Sequence, residues 1–311
     1  MIKKLGYVVL GTSDLDTMVQ HYTASVSLTI SDQDSDVIWL SVGAGAPCLG
    51  IERGGSGLLR TGLQLAIGID EAEDRLTSLG VETTRRGASA PGSSDALTVT
   101  GPAGNLLELY ESGDESDSTP AEGLPPRKLG HVATFVDSLE SAFSFYGDDL
   151  GLRWADTVEF AGTTFFTFMR CGPDHHTMNF MENPQESGLH HFAFEARDIE
   201  HLKHVCDQFA RTGVTLDWGV GRHGPGHNIF TYHRDPDGNL VEVFTDLDVM
   251  VDEESGAYDP RPWHEDSPQR PKVWQFSPEV GNAWGPGPTD PEFLKTPAWI
   301  GEAIADAQAS S

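Results

Sequence analysis

The chain repeats itself, and that repetition limits its folding options more than any other feature. "LGYVVLGTSDLDTMVQHY" begins at Leu5 and "LGHVATFVDSLESAFSFY" at Leu129, a constant offset of 124 that matches Gly6 to Gly130, Leu15 to Leu139 and Tyr22 to Tyr146. A second pair, "GPAGNLLELYE" from Gly101 and "DPDGNLVEVFT" from Asp235, matches Glu108 to Glu242 at an offset of 134. Inside the second half, "GHVATFVDSLESAF" and "HHFAFEARDIEHL" align at an offset of 60, His131 facing His191. Each half is therefore two copies of one unit.

The unit opens with a short strand and a helix. After "HVATFV", Asp137 or Ser138 can cap a helix with Leu139, Ala142, Phe143, Tyr146 and Leu150 at helical spacing. After "HFAFEA", Asp198 caps a helix that should bury Ile199, Leu202, Cys206 and Phe209 and stop near Gly213, with His201 and His204 on its outer face. Strand-like runs follow, "TTFFTFMR", "HTMNFM", "NIFTYHR" and "NLVEVFT", the last two joined by a "DPDG" turn. The unit reads β-α-β-β-β and the class α+β. The expected organisation is a domain over 1–113, a polar, acidic, Pro-rich linker over 114–126, a domain over 127–247 and an irregular arm over 248–311. The arm holds nine prolines and four of the seven tryptophans, which are costly to leave in water, so it should wrap its own barrel or a neighbour.

Charge excludes some partners. A net charge of −28 repels nucleic-acid phosphates and anionic membrane surfaces. No run approaches a membrane span or a signal-peptide core. Cys48, Cys171 and Cys206 form no paired framework, which suits a reducing cytoplasm.

Ten of the twelve histidines lie between His131 and His233, which places any chemistry in the second half. Strand alternation puts His190 with Phe192 and Phe194, and His191 with Ala193 and Glu195. The Phe face should pack on helices and the small, polar face should line a cavity, which selects His191 as a ligand. His131 holds the equivalent place in its own unit. Glu242 is a carboxylate within an apolar strand, and a buried carboxylate needs a partner, a proton or a metal. Two histidines and a carboxylate make a facial triad, the donor set of non-haem Fe(II), with Mn(II) as an alternative. The first half has Tyr7 where His131 stands and keeps Glu108, as a duplicate that lost its metal would. His227 and His233 stand close enough to support the site.

On these residues the chain resembles the type I extradiol ring-cleavage dioxygenases of the vicinal oxygen chelate superfamily, such as catechol 2,3-dioxygenases and 2,3-dihydroxybiphenyl 1,2-dioxygenases. The resemblance covers roughly residues 1–247. It implies a funnel-like, half-open barrel in each domain, one iron held by His131, His191 and Glu242, and ring cleavage of a catechol with O₂ in aromatic catabolism. It also implies His176, fifteen residues before His191, as acid–base histidine. His223 and Tyr232, nineteen and ten residues before Glu242, are implied as hydrogen-bonding groups for the substrate oxygens. A homo-oligomer, tetramer or larger, goes with the resemblance. Two other classes are open: another metal-dependent enzyme of the superfamily, such as a glyoxalase-type isomerase or thiol transferase, and a non-catalytic module that binds an aromatic ligand.

Overall fold

A computed structural model describes residues 1–112, 124–183, 185–261, 269–289 and Phe293. Most of the expected linker and two tryptophans of the arm, Trp263 and Trp299, lie outside the described residues.

The β-α-β-β-β unit recurs four times. The first copy is β1 (Ile2–Thr12), α1 (Leu15–Ala24), β2 (Thr29–Gln33), β3 (Val37–Ser41) and β4 (Pro47–Arg53). The second is β5 (Gly57–Leu65), α2 (Ile69–Ser78), β6 (Thr84–Gly87), β7 (Ser93–Thr100) and β8 (Leu106–Ser112). The third is β9 (Lys128–Val136), α3 (Leu139–Ala142, running on as a π-helical segment Phe143–Asp149), β10 (Arg153–Phe160), β11 (Thr163–Arg170) and β12 (Met178–Glu182). The fourth is β13 (Gly188–Glu195), α4 (Ile199–Thr212), β14 (Leu216–Arg222), β15 (Ile229–Arg234) and β16 (Leu240–Thr245). A small hairpin, β17 (Met250–Asp252) and β18 (Ala257–Tyr258), comes next, then β19 (Lys272–Gln275) and α5 (Pro278–Gly281).

Two open sheets result. Their orders are β2-β3-β4-β1-β5-β8-β7-β6 and β14-β15-β16-β13-β9-β12-β11-β10-β19. In each, the first strands of two modules pair antiparallel (β1 with β5, β9 with β13), and each is flanked by the last strand of its own module in parallel. The arm is thus not wholly irregular: β19 pairs parallel with the edge strand β10. Trp274 Nε1 and the Lys272 amide both donate to the Asp156 carboxylate, at 2.7 and 2.8 Å. The arm wraps its own barrel because a buried carboxylate on β10 needs these donors.

Local signals explain the helices. Asp14, Ser138 and Asp198 each accept an amide hydrogen bond at a helix start, and Gly213, at φ 80°, ends α4. The buried stripe of α4 differs from expectation. Leu202, Val205 and Phe209 are inside, Ile199 is 49% exposed, and His201 is buried rather than on the surface. His201 reaches inward because its Nδ1 accepts the Arg197 amide while Nε2 donates to the Leu124 carbonyl, tying α4 to the segment before β9.

One apolar core runs through both halves. The repeat is used twice to join them: Tyr22 of α1 donates to Asp235 in the "DPDGN" turn at 2.7 Å, while its copy Tyr146 packs on Gly101 of the "GPAGN" turn. Beside Tyr22, the Nε2 atoms of His21 and His233 lie 3.2 Å apart. His233 therefore faces the other half and not the cavity. Burial pushes His21 down to about 4 and His233 to about 3, the neighbouring ring adding to the latter. Both rings are neutral when folded, whereas an unfolded histidine titrates near about 6.5. The unfolded chain binds more protons below that pH, so the pair's contribution is whole above about 6.5 and is lost as pH falls toward 4. Thermal melts should show a midpoint at least roughly 5 °C lower at pH 5 than at pH 7, and His21→Gln should shrink that difference.

Candidate metal centre

The register of four strands makes the centre. Tyr232 on β15 sits opposite Glu242 on β16, Glu242 opposite Ala193 on β13, and Ala193 opposite His131 on β9. Directly opposed residues share a face, so this row projects to one side of the sheet. His191 lies two residues before Ala193, on the same side. Ala193 is the small member of the row, and its size leaves the gap across which His131 and Glu242 meet. His131 Nε2 is 3.1 Å from His191 Nε2 and 2.9 Å from Glu242 Oε2, and His191 Nε2 is 3.2 Å from the same oxygen. These three are the one group of metal-type donors found together among the described residues, all buried.

The spacing can be tested against a metal. Three ligand atoms at about 2.1 Å from an ion and at right angles to one another are about 3.0 Å apart. The observed edges agree, so the residues fit one face of an octahedron, with the opposite face open to the cavity. Burial pushes the Glu242 carboxyl up, but the charges and hydrogen bonds of His131 and His191 outweigh it and hold Glu242 well below the usual carboxylate range. Burial also lowers His191, with Glu242 opposing the shift. The outer oxygen of Glu242 accepts from Asn228 Nδ2 at 2.8 Å, which fixes the carboxylate's rotation.

His190 does not follow strict alternation. A register shift between Leu189 and His191 makes a bulge at His190, and both histidines line the same cavity. His190 lies edge-on to Phe135, its Nδ1 2.6 Å from His191 Nδ1, and Nε2 donates to the Phe293 carbonyl of the arm at 2.8 Å. It supports His191 from inside the site, not from the helix side with Phe192 and Phe194.

The remaining expected residues also converge. His176 stands with its ring centroid 4.4 Å from that of His131. Its Nδ1 is 2.9 Å from His175 Nδ1, and His175 Nε2 is 3.0 Å from the Asp156 carboxylate that anchors the arm. Burial, then the adjacent His131 and His175, holds His176 well below the ordinary histidine value, so its ring is neutral. His223 is pushed down to about 4, again chiefly by burial. Its Nδ1–H donates to the Gly281 carbonyl of α5 at 2.6 Å, which leaves Nε2 to accept from the Tyr232 hydroxyl at 3.1 Å. Tyr232 is pushed well above its ordinary value by burial and the Glu242 charge, so it stays a hydroxyl. His227 pairs with Asp248 at 2.7 Å and is not among the residues lining the cavity.

The cavity has an empty volume of about 780 Å³, its open mouth included. Sequence reasoning missed Asn228, a lone amide with no spacing signal, and Phe293, which only the folded arm brings in. It also missed how the first half fills the same place. There the row runs Thr98, Glu108, Gly62, Tyr7, and Arg60 holds the register position of His191. Glu108 accepts from Tyr7, from Ser89 and from Arg86 at 2.7 Å, with Arg60 at 3.9 Å. Hydroxyl and guanidinium donors surround this carboxylate where the second half has imidazoles.

Gly130 precedes His131, and a Cβ there would lie 2.5 Å from the Phe244 ring. Gly130→Ala should cost about 1–3 kcal/mol and shift β9. Urea unfolding combined with a metal titration should show lower stability and weaker metal binding together.

Residues 128–243 match the family described as Glyoxalase/Bleomycin resistance protein/Dioxygenase superfamily. Metapyrocatechase 2 of Cupriavidus necator is 37% identical over 125 residues, which is 40% of this chain and only 38% of that protein. The 3-methylcatechol 2,3-dioxygenase of Pseudomonas putida is 25% identical over 261 residues, 78% of this chain and 89% of that one. Among solved structures, homoprotocatechuate 2,3-dioxygenase from Arthrobacter globiformis superposes with a TM-score of 0.79 at 20% identity, covering 94% and 90% of the two chains. A Mn(II)-bound glyoxalase from Novosphingobium aromaticivorans gives 0.78 at 22%, covering 95% of each. Residues 128–243 thus form a domain of the Glyoxalase/Bleomycin resistance protein/Dioxygenase superfamily by sequence match, and the two solved neighbours, at 20% and 22% identity, show the shared fold alone.

Proposed function

We propose that the chain is an extradiol dioxygenase that opens a catechol ring next to its vicinal diol with O₂, using Fe(II) held by His131, His191 and Glu242. One observation carries the reading: the facial His–His–Glu cluster opens into an aromatic-lined cavity that also holds His176, His223 and Tyr232. The relatives' names, metapyrocatechase and 3-methylcatechol 2,3-dioxygenase, support the same reaction. The donor set suits Fe(II) and Mn(II) alike. We propose iron, and metal analysis of protein purified without oxygen decides between them.

A bound divalent metal supplies Lewis acidity that eases ionisation of a chelated hydroxyl, and open positions beside it. The protein supplies the rest. The Tyr232 hydroxyl donates its hydrogen bond to His223 Nε2, so its oxygen presents lone pairs to a substrate hydroxyl. His223 is held in that tautomer by the Gly281 carbonyl. Neutral His176, its ring beside that of His131, is placed to accept a proton from a bound diol and to pass it on as an acid. The apolar walls offer water few hydrogen-bond partners, so these protons move between fixed groups.

The wider organisation belongs to the same proposal: a non-metal domain over 1–113, a linker over 114–126, a catalytic domain over 127–247 and an arm over 248–311. Three free cysteines support a cytoplasmic protein. No described helix is long and apolar enough to cross a membrane. A homo-oligomer, tetramer or larger, is proposed from the family resemblance and is read by light scattering.

The Mn(II)-bound glyoxalase neighbour favours one rival, a glyoxalase-type isomerase. Oxygen uptake and a yellow product with a catechol panel support cleavage. Isomerisation of a thiol adduct without oxygen uptake supports the rival. His191→Ala should abolish iron binding while His190→Ala keeps it, measured by iron content after desalting. His176→Ala should retain iron and bind catechol, yet lose turnover by about 10²–10⁴-fold. Normal turnover in His176→Ala would remove it from the mechanism.

A further inference from the structure

The polar lining of the cavity is five histidines, Asn179, Asn228, Tyr232 and Glu242. The rest of the wall is apolar: Val158 and Phe168 from the β10–β11 hairpin, Trp218 from β14, and Phe276, Val280 and Phe293 from the arm. These side chains brace one another. Trp218 lies parallel to Tyr232 at 5.7 Å and edge-on to Phe293 at 5.1 Å, while Phe276 packs on Phe165 at 5.8 Å. The arm contributions lie outside the segment 128–243 that matches the superfamily, while Val158, Phe168 and Trp218 lie within it.

We propose that the site selects catechols whose ring substituent is uncharged and apolar, alkyl or aryl, and discriminates against those that carry a carboxylate. This rests on the reading of the cavity as a catechol site and names its substrate class. A carboxylate carried into such a wall loses its water and needs a cation in exchange. No lysine or arginine occurs among the described lining residues. Two of the polar side chains on the wall have acceptor atoms with spare capacity. The side-chain oxygens of Asn179 and Asn228, both buried, have no hydrogen-bond partner, and an acceptor repels a carboxylate. The net charge of −28 opposes the approach of a second anion as well. An alkyl or aryl group instead displaces water from aromatic faces.

The test compares near-isosteric substituents on the iron-loaded full chain. 4-Ethylcatechol and 3,4-dihydroxyphenylacetate differ in the terminal group, and 3-phenylcatechol adds an aryl arm. Oxygen uptake gives kcat/KM, and quenching of tryptophan fluorescence without oxygen gives Kd. The ethyl and phenyl compounds should exceed the carboxylate at least 100-fold in kcat/KM, with most of the difference in Kd. Trp218→Arg should narrow the gap at least ten-fold by raising activity on the carboxylate, and Phe276→Arg repeats the test on the arm if Trp218→Arg does not fold. Equal or better turnover of 3,4-dihydroxyphenylacetate by the unaltered chain overturns the inference and leaves catechol cleavage standing. Absence of both binding and turnover for all three compounds overturns the functional reading, and the inference with it.

Discussion

A carboxylate buried at the centre of each open sheet sets the terms for everything around it. Glu242 and Glu108 hold matching register positions on β16 and β8, both without solvent. An isolated charge there costs several kcal/mol, so each half has to bring something positive or protic to it. The first half does so with its own side chains. Tyr7, Ser89 and Arg86 donate to Glu108, and Arg60 stands nearby. The second half has two imidazoles at those register positions, whose lone pairs do not neutralise a carboxylate unless a proton or a cation joins them. The same scaffold thus surrounds one carboxylate with hydroxyl and guanidinium donors and leaves the other needing an ion.

The repeat made much of this legible. An offset of 60 within the second half paired His131 with His191, and an offset of 134 between halves paired Glu242 with Glu108. Periodicity survives in sequence because each copy needs the same strand pairing and the same helix caps. What stayed hidden depends on interruptions of the period. The bulge at His190 turns two adjacent histidines into the same cavity, and alternation has no means to announce an extra residue. Arg60 was invisible for a different reason. Its equivalence to His191 follows from strand partners, Leu106 and Leu240, and not from any likeness of side chain.

His201 shows a third kind of limit. Helical spacing sorted α4 by hydrophobicity and put Ile199 inside and His201 outside. The structure reverses both, because hydrogen bonds to His201 at the helix start outrank the burial of one isoleucine. Apolar patterning predicts which face of a helix turns inward. It does not predict which polar group near the cap will satisfy a neighbouring main-chain carbonyl.

The arm is where fold and site become one problem. Its tryptophans and prolines signalled burial without a location: Trp274 docks on a residue 118 positions away, whereas Trp284 stays 54% exposed. Asp156 supplies the location by accepting from Trp274 and the Lys272 amide. Once docked, the arm turns two main-chain carbonyls toward site histidines: Gly281 to His223 and Phe293 to His190. Main-chain carbonyls accept and never donate, so each fixes which ring nitrogen carries the proton. Asp156 also stands 3.0 Å from His175, itself in contact with His176. A segment outside the repeated modules thereby sets the hydrogen bonding of residues within them, and a change in how it docks is felt at the site histidines before it is felt in the core.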